Sequence, residues 1–328
     1  MKFYTKTSKG IKCLLCRHYC NLSGGQTGIC GVNKNENGTL KNLVYGRVVA
    51  LHTDPIEKKP LYHFLPGSSA LSIGTVGCNL QCPFCQNWQI SQVVEVPYQQ
   101  KVTSARLIQM ALDNHCQSIA YTYNEPTVFY PFARDVAVEA KDHGIKNIFI
   151  SNGMFSPEII EDMVGVIDAF NIDLKSFSPA FYKNKLKGNL DGVLDTLKLL
   201  RKNKFWLEVT TLVIPDENDS PEELAAIAGF ISNELGNDTP WHISAFYPQY
   251  KMTYKNRTPA QALQRAYNIG LQQGLRYVYK GNVAEQGVTR CPVCQKELVV
   301  RNGYFITDNV IADGHCPVCN TKISGLWN

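Results

Sequence analysis

The stretch Gly77–Trp88, GCNLQCPFCQNW, constrains this chain more than any other. Its three cysteines, Cys78, Cys82 and Cys85, are spaced C-x3-C-x2-C and directly follow the apolar run Leu71–Val76. A structural zinc site takes four ligands and usually closes with a second, distant pair. Three thiolates instead suit three irons of a four-iron cluster and leave the fourth iron open to a small molecule. A cluster with four cysteine ligands is closed by comparison. The alternative is a zinc knuckle that borrows His63 or His115, and the strand-like run ahead of the loop argues against it.

The remaining cysteines fall in the same pattern of clusters. The chain holds 12 cysteines, and the other two groups are Cys13/Cys16/Cys20/Cys30 and Cys291/Cys294/Cys316/Cys319. The N-terminus MKFYTKTSKGIKC has no apolar core of export-signal length, and no apolar run reaches the span of a bilayer. The chain therefore reads as soluble and cytoplasmic, where clustered thiols mean metal rather than disulfides. Gly24, Gly25 and Gly28 give the first group the sharp turns that a small zinc site or an auxiliary cluster needs, with zinc preferred. His18 could replace one thiolate, but it reads as a solvated side chain beside Arg17. The paired C-x2-C knuckles at the C-terminus read as a four-thiolate site for zinc or a rubredoxin-like iron, zinc again preferred. Cys116 stands alone and reads as packing rather than as a nucleophile.

With 328 residues, 44% of them hydrophobic, the chain can build one large domain with smaller attachments. A net charge of +5 from 33 basic and 28 acidic residues leaves no nucleic-acid or membrane-surface footprint. Residues 1–66 read as a cysteine-rich extension and linker, 67–284 as the core, and 285–328 as a metal-binding knuckle. Within the linker, NLVYGRVVALHTD suggests one or two strands, and Lys59, Tyr62 and His63 read equally as neighbours of the site or as packing residues.

In the core, short β-branched and aromatic runs alternate with helical segments. The runs are SIAYTY (118–123), KNIFIS (146–151), IDAFNIDL (167–174), WLEVTTLVI (206–214), WHISAFY (241–247) and RYVYKGNV (276–283). Ser156-Pro157 and Ser178-Pro179 read as helix starts, and Ser220–Glu223 and Thr258–Gln261 as capping boxes. This alternation predicts an α/β fold with a parallel sheet, an open, partial (β/α)6-type barrel. Active residues of such barrels sit where strands run into the following loops. The cluster loop, YNEP (123–126), SNG (151–153) and DLK (173–175) all fall there. Tyr121, Tyr123, Glu208, Thr210, His242, Tyr247 and Tyr279 are candidates to line the interior, each reading equally as core packing.

The cysteine spacing, with Phe84 before the third cysteine, is similar to that of the radical S-adenosylmethionine (radical SAM) superfamily. Ser151-Asn152-Gly153, Asp173-Leu174-Lys175 and Leu212–Asp216 resemble motifs of pyruvate formate-lyase activating enzymes. The N-terminal knuckle, DPIEKKPLYHFLPGS, YTYNEPTVF, NIDLKSF, YVYKGNV and the terminal GLW resemble the radical SAM member of the AmmeMemoRadiSam system nearly end to end.

The resemblance implies a [4Fe-4S] cluster on Cys78, Cys82 and Cys85 that cleaves SAM to methionine and a hydrogen-abstracting 5′-deoxyadenosyl radical. It implies that Asn124 and Glu125 replace a Gly-Gly-Glu motif, with Glu125 accepting from the SAM amino group. Ser151 and Asn152 would face the SAM ribose and carboxylate, and Lys175 would pair with the carboxylate. Asp173 would lie near the sulfonium. A flavodoxin or ferredoxin reductant and a Memo-like partner protein follow from the same likeness. The substrate is expected to be a small or nucleotide-like molecule, with activation of a glycyl-radical partner as the alternative. A zinc-ribbon nucleic-acid-binding protein with a degenerate core is the alternative of another class.

Overall fold

A computed structural model describes residues 3–92, 96 and 101–327. Seven parallel strands form its central sheet: Ser69–Gly74, Ser118–Tyr121, Lys146–Ser151, Ala169–Asp173, Trp206–Val213, Trp241–Ala245 and Val278–Gly281. They lie side by side in chain order and are called the first to seventh strands below. The strand Ala50–Pro55 pairs antiparallel with the first and forms one edge; the seventh forms the other, so the barrel stays open.

The region expected to be a linker thus supplies an edge of the core sheet, inside the boundary expected at residue 66. Within NLVYGRVVALHTD, Asn42 ends the short strand Thr39–Asn42 and residues 50–54 belong to the edge strand; Val44 between them is buried in a turn.

The period-2 alternation of each strand sorts residues between two faces. Leu71, Ile73, Ile119, Tyr121, Phe149, Phe170 and Ile172 pack with the helices in the main core. Ala70, Ala120, Ile148 and Ala169 face the other way and meet Ile56, Leu61 and Phe64. Tyr121, read from sequence as an interior candidate, faces the helix layer: its hydroxyl bonds Asn147 Oδ1 at 3.1 Å and its ring lies 5.1 Å from Phe149. Phe149, Phe155 and Phe205 all meet Phe170 edge-on, at 5.9, 5.9 and 5.0 Å. Such pairs add about 0.5–1.5 kcal/mol each beyond the area they bury.

Helix starts follow the local chemistry. Ser156, Ser178 and Ser220 each accept a backbone N–H three residues on, with proline at the first helical position. Neither capping box forms in full. Glu223 bonds Ser176 Oγ and the Phe177 N–H instead of returning to Ser220. Thr258 does not cap; its hydroxyl donates to Val213 O and accepts from Phe246 N, which ties the sixth loop to the fifth strand.

The C-terminal segment folds as a three-stranded antiparallel sheet, Gly287–Arg290, Glu297–Asn302 and Phe305–Asn309. Among the described residues no helix is long and apolar enough to cross a membrane.

Candidate active site

The first strand ends at Gly74, and the chain turns at Gly77 with φ +91°, a conformation open to glycine. A Cβ on Gly77 would lie 2.7 Å from the carbonyl oxygen of Cys30. Asn124 fixes this turn: its Oδ1 accepts from Thr75 N at 3.1 Å and its Nδ2 donates to Gly77 O at 2.8 Å. The Asn124 carboxamide is thereby committed to positioning the loop, a role the Gly-Gly comparison did not suggest.

Cys82 is buried, and Cys78 and Cys85 are half-buried. Leu80 N donates to Cys78 Sγ at 3.4 Å, and Asn152 Nδ2 approaches the same sulfur at 3.8 Å. Burial pushes the Cys82 thiol up to about 12 against the pull of Lys175, and burial with Glu125 nearby raises Cys78 strongly. These thiols keep their protons until a metal replaces them, so loading releases protons. Three thiols, two N–H groups at one sulfur and a cation beside another make a donor set that fits an iron–sulfur cluster.

Glu125 joins the second loop to the third. Its Oε1 accepts from Thr127 N at 3.0 Å and Ser151 Oγ at 2.7 Å, and its Oε2 from Asn152 N at 2.8 Å. It also caps the short helix at Pro126, the structural role expected beside its functional one. Burial raises its pKa, with those donors pulling it back down. Oε2 carries one bond and keeps room for one more donor. Asn152 Oδ1 accepts from Met154 N, and its Nδ2 donates to Asn79 Oδ1 at 2.7 Å. Asn79 was not singled out from the sequence, although it sits beside Cys78.

Lys175 Nζ lies 2.8 Å from Asp173 Oδ2. Burial would lower the Lys175 pKa, but Asp173 and Cys82 raise it, so the ammonium stays charged. The loop is held by Lys175 N donating to Tyr182 Oη and by Asn218 Nδ2 donating to Lys175 O. Cys116 is buried, its thiol beside Asn114 O, as a packing residue.

Other candidates sit elsewhere. Lys59 Nζ pairs with Asp54 at 2.6 Å, and Tyr123 Oη donates to the same carboxylate oxygen. Tyr62 and His63 lie near the start of the fifth strand, not its end: their N–H groups donate to Glu208. His242 Nε2 meets Glu208 at 2.6 Å, and His63 Nε2 meets Tyr279 Oη at 2.6 Å. Glu208, His242 and Tyr279 are therefore locked into the barrel floor. Thr210 Oγ1 bonds Asn171 Oδ1 inside, while Tyr247 is exposed with its hydroxyl on Asn282 O.

Against this floor docks the C-terminal ribbon. Arg301 Nη2 donates to Tyr62 O, and Leu326 pairs with the His63–Leu65 backbone. Its four cysteines place their sulfurs within 4.8 Å of one another, with Cys291–Cys319 at 3.5 Å and Cys294–Cys316 at 3.6 Å. That is a site for one ion, and among the described residues no other group is gathered so tightly. Replacing Cys294 and Cys319 by serine is expected to remove a single metal ion per chain and leave the iron of the core unchanged. Elemental analysis checks it; loss of core iron would show that the two sites depend on each other.

Above the site, Gln81, Pro83, Lys187, Tyr250, Lys251 and Tyr254 line an open groove of about 570 Å³. Lys251 N donates to Pro83 O, and Tyr250 stacks on Trp88 at 5.2 Å, so the sixth loop presses on the cluster loop.

The family model of the radical SAM superfamily matches residues 72–228, from the first strand to the helix after the fifth. The chain belongs to the radical SAM superfamily. An uncharacterized protein of Methanocaldococcus jannaschii is 40% identical over 330 residues, covering 98% of this chain and 97% of that one. The pyruvate formate-lyase-activating enzyme of Listeria monocytogenes is 25% identical over 189 residues, 54% of this chain and 76% of its own. Streptococcus suis SuiB bound to S-adenosylmethionine shares the fold at 14% identity and TM-score 0.53, over 69% of this chain and 53% of SuiB. Members of the superfamily use a 4Fe-4S cluster and SAM and need an electron donor.

Proposed function

We propose that this radical SAM enzyme cleaves SAM at Cys78, Cys82 and Cys85 and abstracts hydrogen from a small, anionic or nucleotide-like substrate. When bound, the cluster supplies one electron that splits SAM into methionine and a 5′-deoxyadenosyl radical. The observation that carries the reading is the meeting of three loops at the cluster thiols: Asn152 on Cys78, Glu125 behind Asn152, and Lys175 beside Cys82.

The chain's residues would divide the cofactor's polar groups between them. Lys175 offers its remaining N–H donors to the methionine carboxylate as a point charge. Glu125 Oε2 offers its open position to the amino group. Asp173, half-exposed beside Lys175, faces the remaining positive charge. Ser151 and Asn152 act chiefly by holding Glu125 and Cys78, and bring the ribose side of the site to the same level.

Substrate class follows from the groove. Its volume lies in the small-molecule range. Lys185 is paired with Glu217, while Lys187 and Lys251 give the rim its positive charge. Activation of a glycyl-radical partner is the second reading, favoured by the likeness to an activating enzyme and by the open side of the groove. A flavodoxin or ferredoxin would deliver the electron. A Memo-like partner rests on the motif resemblance alone, as does the place in the AmmeMemoRadiSam system.

The test is anaerobic reconstitution, reduction, and assay of 5′-deoxyadenosine with cell extract split by dialysis. Stimulation by the dialysable fraction is the expected result. Stimulation by the retained fraction alone would replace it with the activase reading. No product from a loaded, reduced cluster in either fraction would overturn both.

A further inference from the structure

We propose that Cys13, Cys16, Cys20 and Cys30 hold a second iron–sulfur cluster seated against the Cys78 loop, not a single zinc ion. The proposal concerns only these four thiols and stands or falls independently of the reaction at the core.

The local chemistry is that of a metal knuckle. Cys13 N donates to Cys20 O at 2.9 Å and closes the first turn. The N–H groups of Leu15 and His18, each two residues on, point at the sulfurs of Cys13 and Cys16. Asn33 Nδ2 donates to Cys30 Sγ at 3.5 Å. The same two-residue pattern recurs in the C-terminal ribbon, where Lys296 N–H serves Cys294 and Thr321 N–H serves Cys319. Both quartets therefore have backbone N–H groups turned toward sulfur, while burial holds Cys13, Cys16 and Cys20 as thiols until metal displaces their protons.

They differ in how far they open. Two sulfurs bound to one ion at about 2.3 Å can stand no more than about 4.6 Å apart. The ribbon's sulfurs stand close to that limit, all lying within 4.8 Å of one another, and the N-terminal four are not gathered to that distance. Yet they share one small fold: Cys13 and Cys20 are joined through backbone, and a Cβ on Gly28 would lie 3.5 Å from Cys20 Sγ. A quartet held together but spread wider than one ion allows suits a larger body of several irons and sulfides.

Asn79 supplies the second observation. Its Nδ2 is buried without a nitrogen or oxygen partner and faces the Cys16 sulfur, which it favours as a thiolate. The fold thus aims a buried N–H at a sulfur that is a weak acceptor as a thiol and a stronger one once deprotonated by metal. A cluster thiolate or bridging sulfide would be that acceptor, and N–H···S bonds of this kind tune cluster potentials. The Oδ1 of the same carboxamide accepts from Asn152 and lies 4.0 Å from Cys78 Sγ. One side chain thus touches a cysteine of each set.

The knuckle is wedged between two loops of the site. Cys16 bridges to Phe155, and Arg17 N donates to Met154 O at 3.0 Å. His18, expected to be solvated, places Nε2 2.7 Å from Asn79 O, which leaves the four thiols as the ligand set. Cys13 and Cys16 are buried and Cys20 and Cys30 half-exposed, so the quartet stands between solvent and the core thiols.

The experiment uses full-length protein made in iron-supplied cells and isolated without oxygen. With Cys78, Cys82 and Cys85 all replaced by alanine, about four irons and matching acid-labile sulfide per chain are expected. Dithionite should then give an electron paramagnetic resonance signal. In otherwise intact protein, Cys20→Ala with Cys30→Ala should halve the iron. A folded triple variant that carries zinc and no sulfide overturns the proposal. So does an iron content that the Cys20/Cys30 pair leaves unchanged, and this second arm holds even if the triple variant fails to fold.

Discussion

Cys82→Ala protein is expected to lose the core iron and to form 5′-deoxyadenosine more than about 100-fold more slowly than the parent. That bound exceeds the 10–100-fold typical of residues that only support a metal ligand. Cys82 is buried, and its thiol is pushed up to about 12 by that burial, so nothing but metal draws the proton from it near neutral pH. Lys175 stands close enough to lower the same thiol, which places the ammonium beside the Cys82 sulfur rather than out in solvent. Asn152→Ala should give a smaller, graded loss, about 10–100-fold, because it removes the N–H at Cys78, the tie to Asn79 and the acceptor for Met154 N but no thiolate. The check is iron content and 5′-deoxyadenosine measured on the same anaerobic sample. A Cys82→Ala protein that keeps its iron and its rate would remove the three-thiolate site from the mechanism.

Much of this site was legible because its signals are local. The spacing of Cys78, Cys82 and Cys85, the Ser-Pro helix starts and the β-branched and aromatic runs are properties of neighbouring residues. They pointed to the loops from which the candidate site is drawn. What stayed hidden depends on partners far along the chain. Asn124 looked like a stand-in for a glycine, but its amide is taken by Thr75 and Gly77, 49 and 47 residues away. Thr258 matched a capping box, but Val213 and Phe246 claim its hydroxyl. Tyr121 belongs by alternation to the helix face once the register with Phe149 is fixed, and the sequence alone does not set that register. Asn79 gave no signal, since an asparagine in a loop is common and only the third dimension puts it between two sets of cysteines.

The barrel floor carries the second large effect. Glu208 is fully buried and accepts from Tyr62 N, His63 N, Trp206 Nε1 and His242 Nε2. Removing one partner of such a buried, hydrogen-bonded pair typically costs about 3–5 kcal/mol, so Glu208→Ala should lower the urea midpoint sharply. The same network makes the fold sensitive to acid. His63 is buried, which lowers its pKa from the ordinary 6.5 to about 4. Between those values the unfolded chain takes a proton that the folded one refuses, so stability is full above pH 6.5 and falls toward pH 4. The size of that loss is on the order of 3 kcal/mol. Glu208 acts in the same direction: its donors, His242 first, hold its pKa below the usual value against burial. Its contribution is present above the unfolded carboxylate range and is lost as pH falls through the depressed folded value. Urea unfolding at pH 7 and pH 4.5 should therefore show a marked loss, and His63→Gln should flatten that difference. Equal midpoints at the two pH values would mean that the floor is not where acid acts. Because Leu326 pairs with the backbone at His63 and Arg301 reaches Tyr62, the ribbon should loosen in the same transition rather than in one of its own.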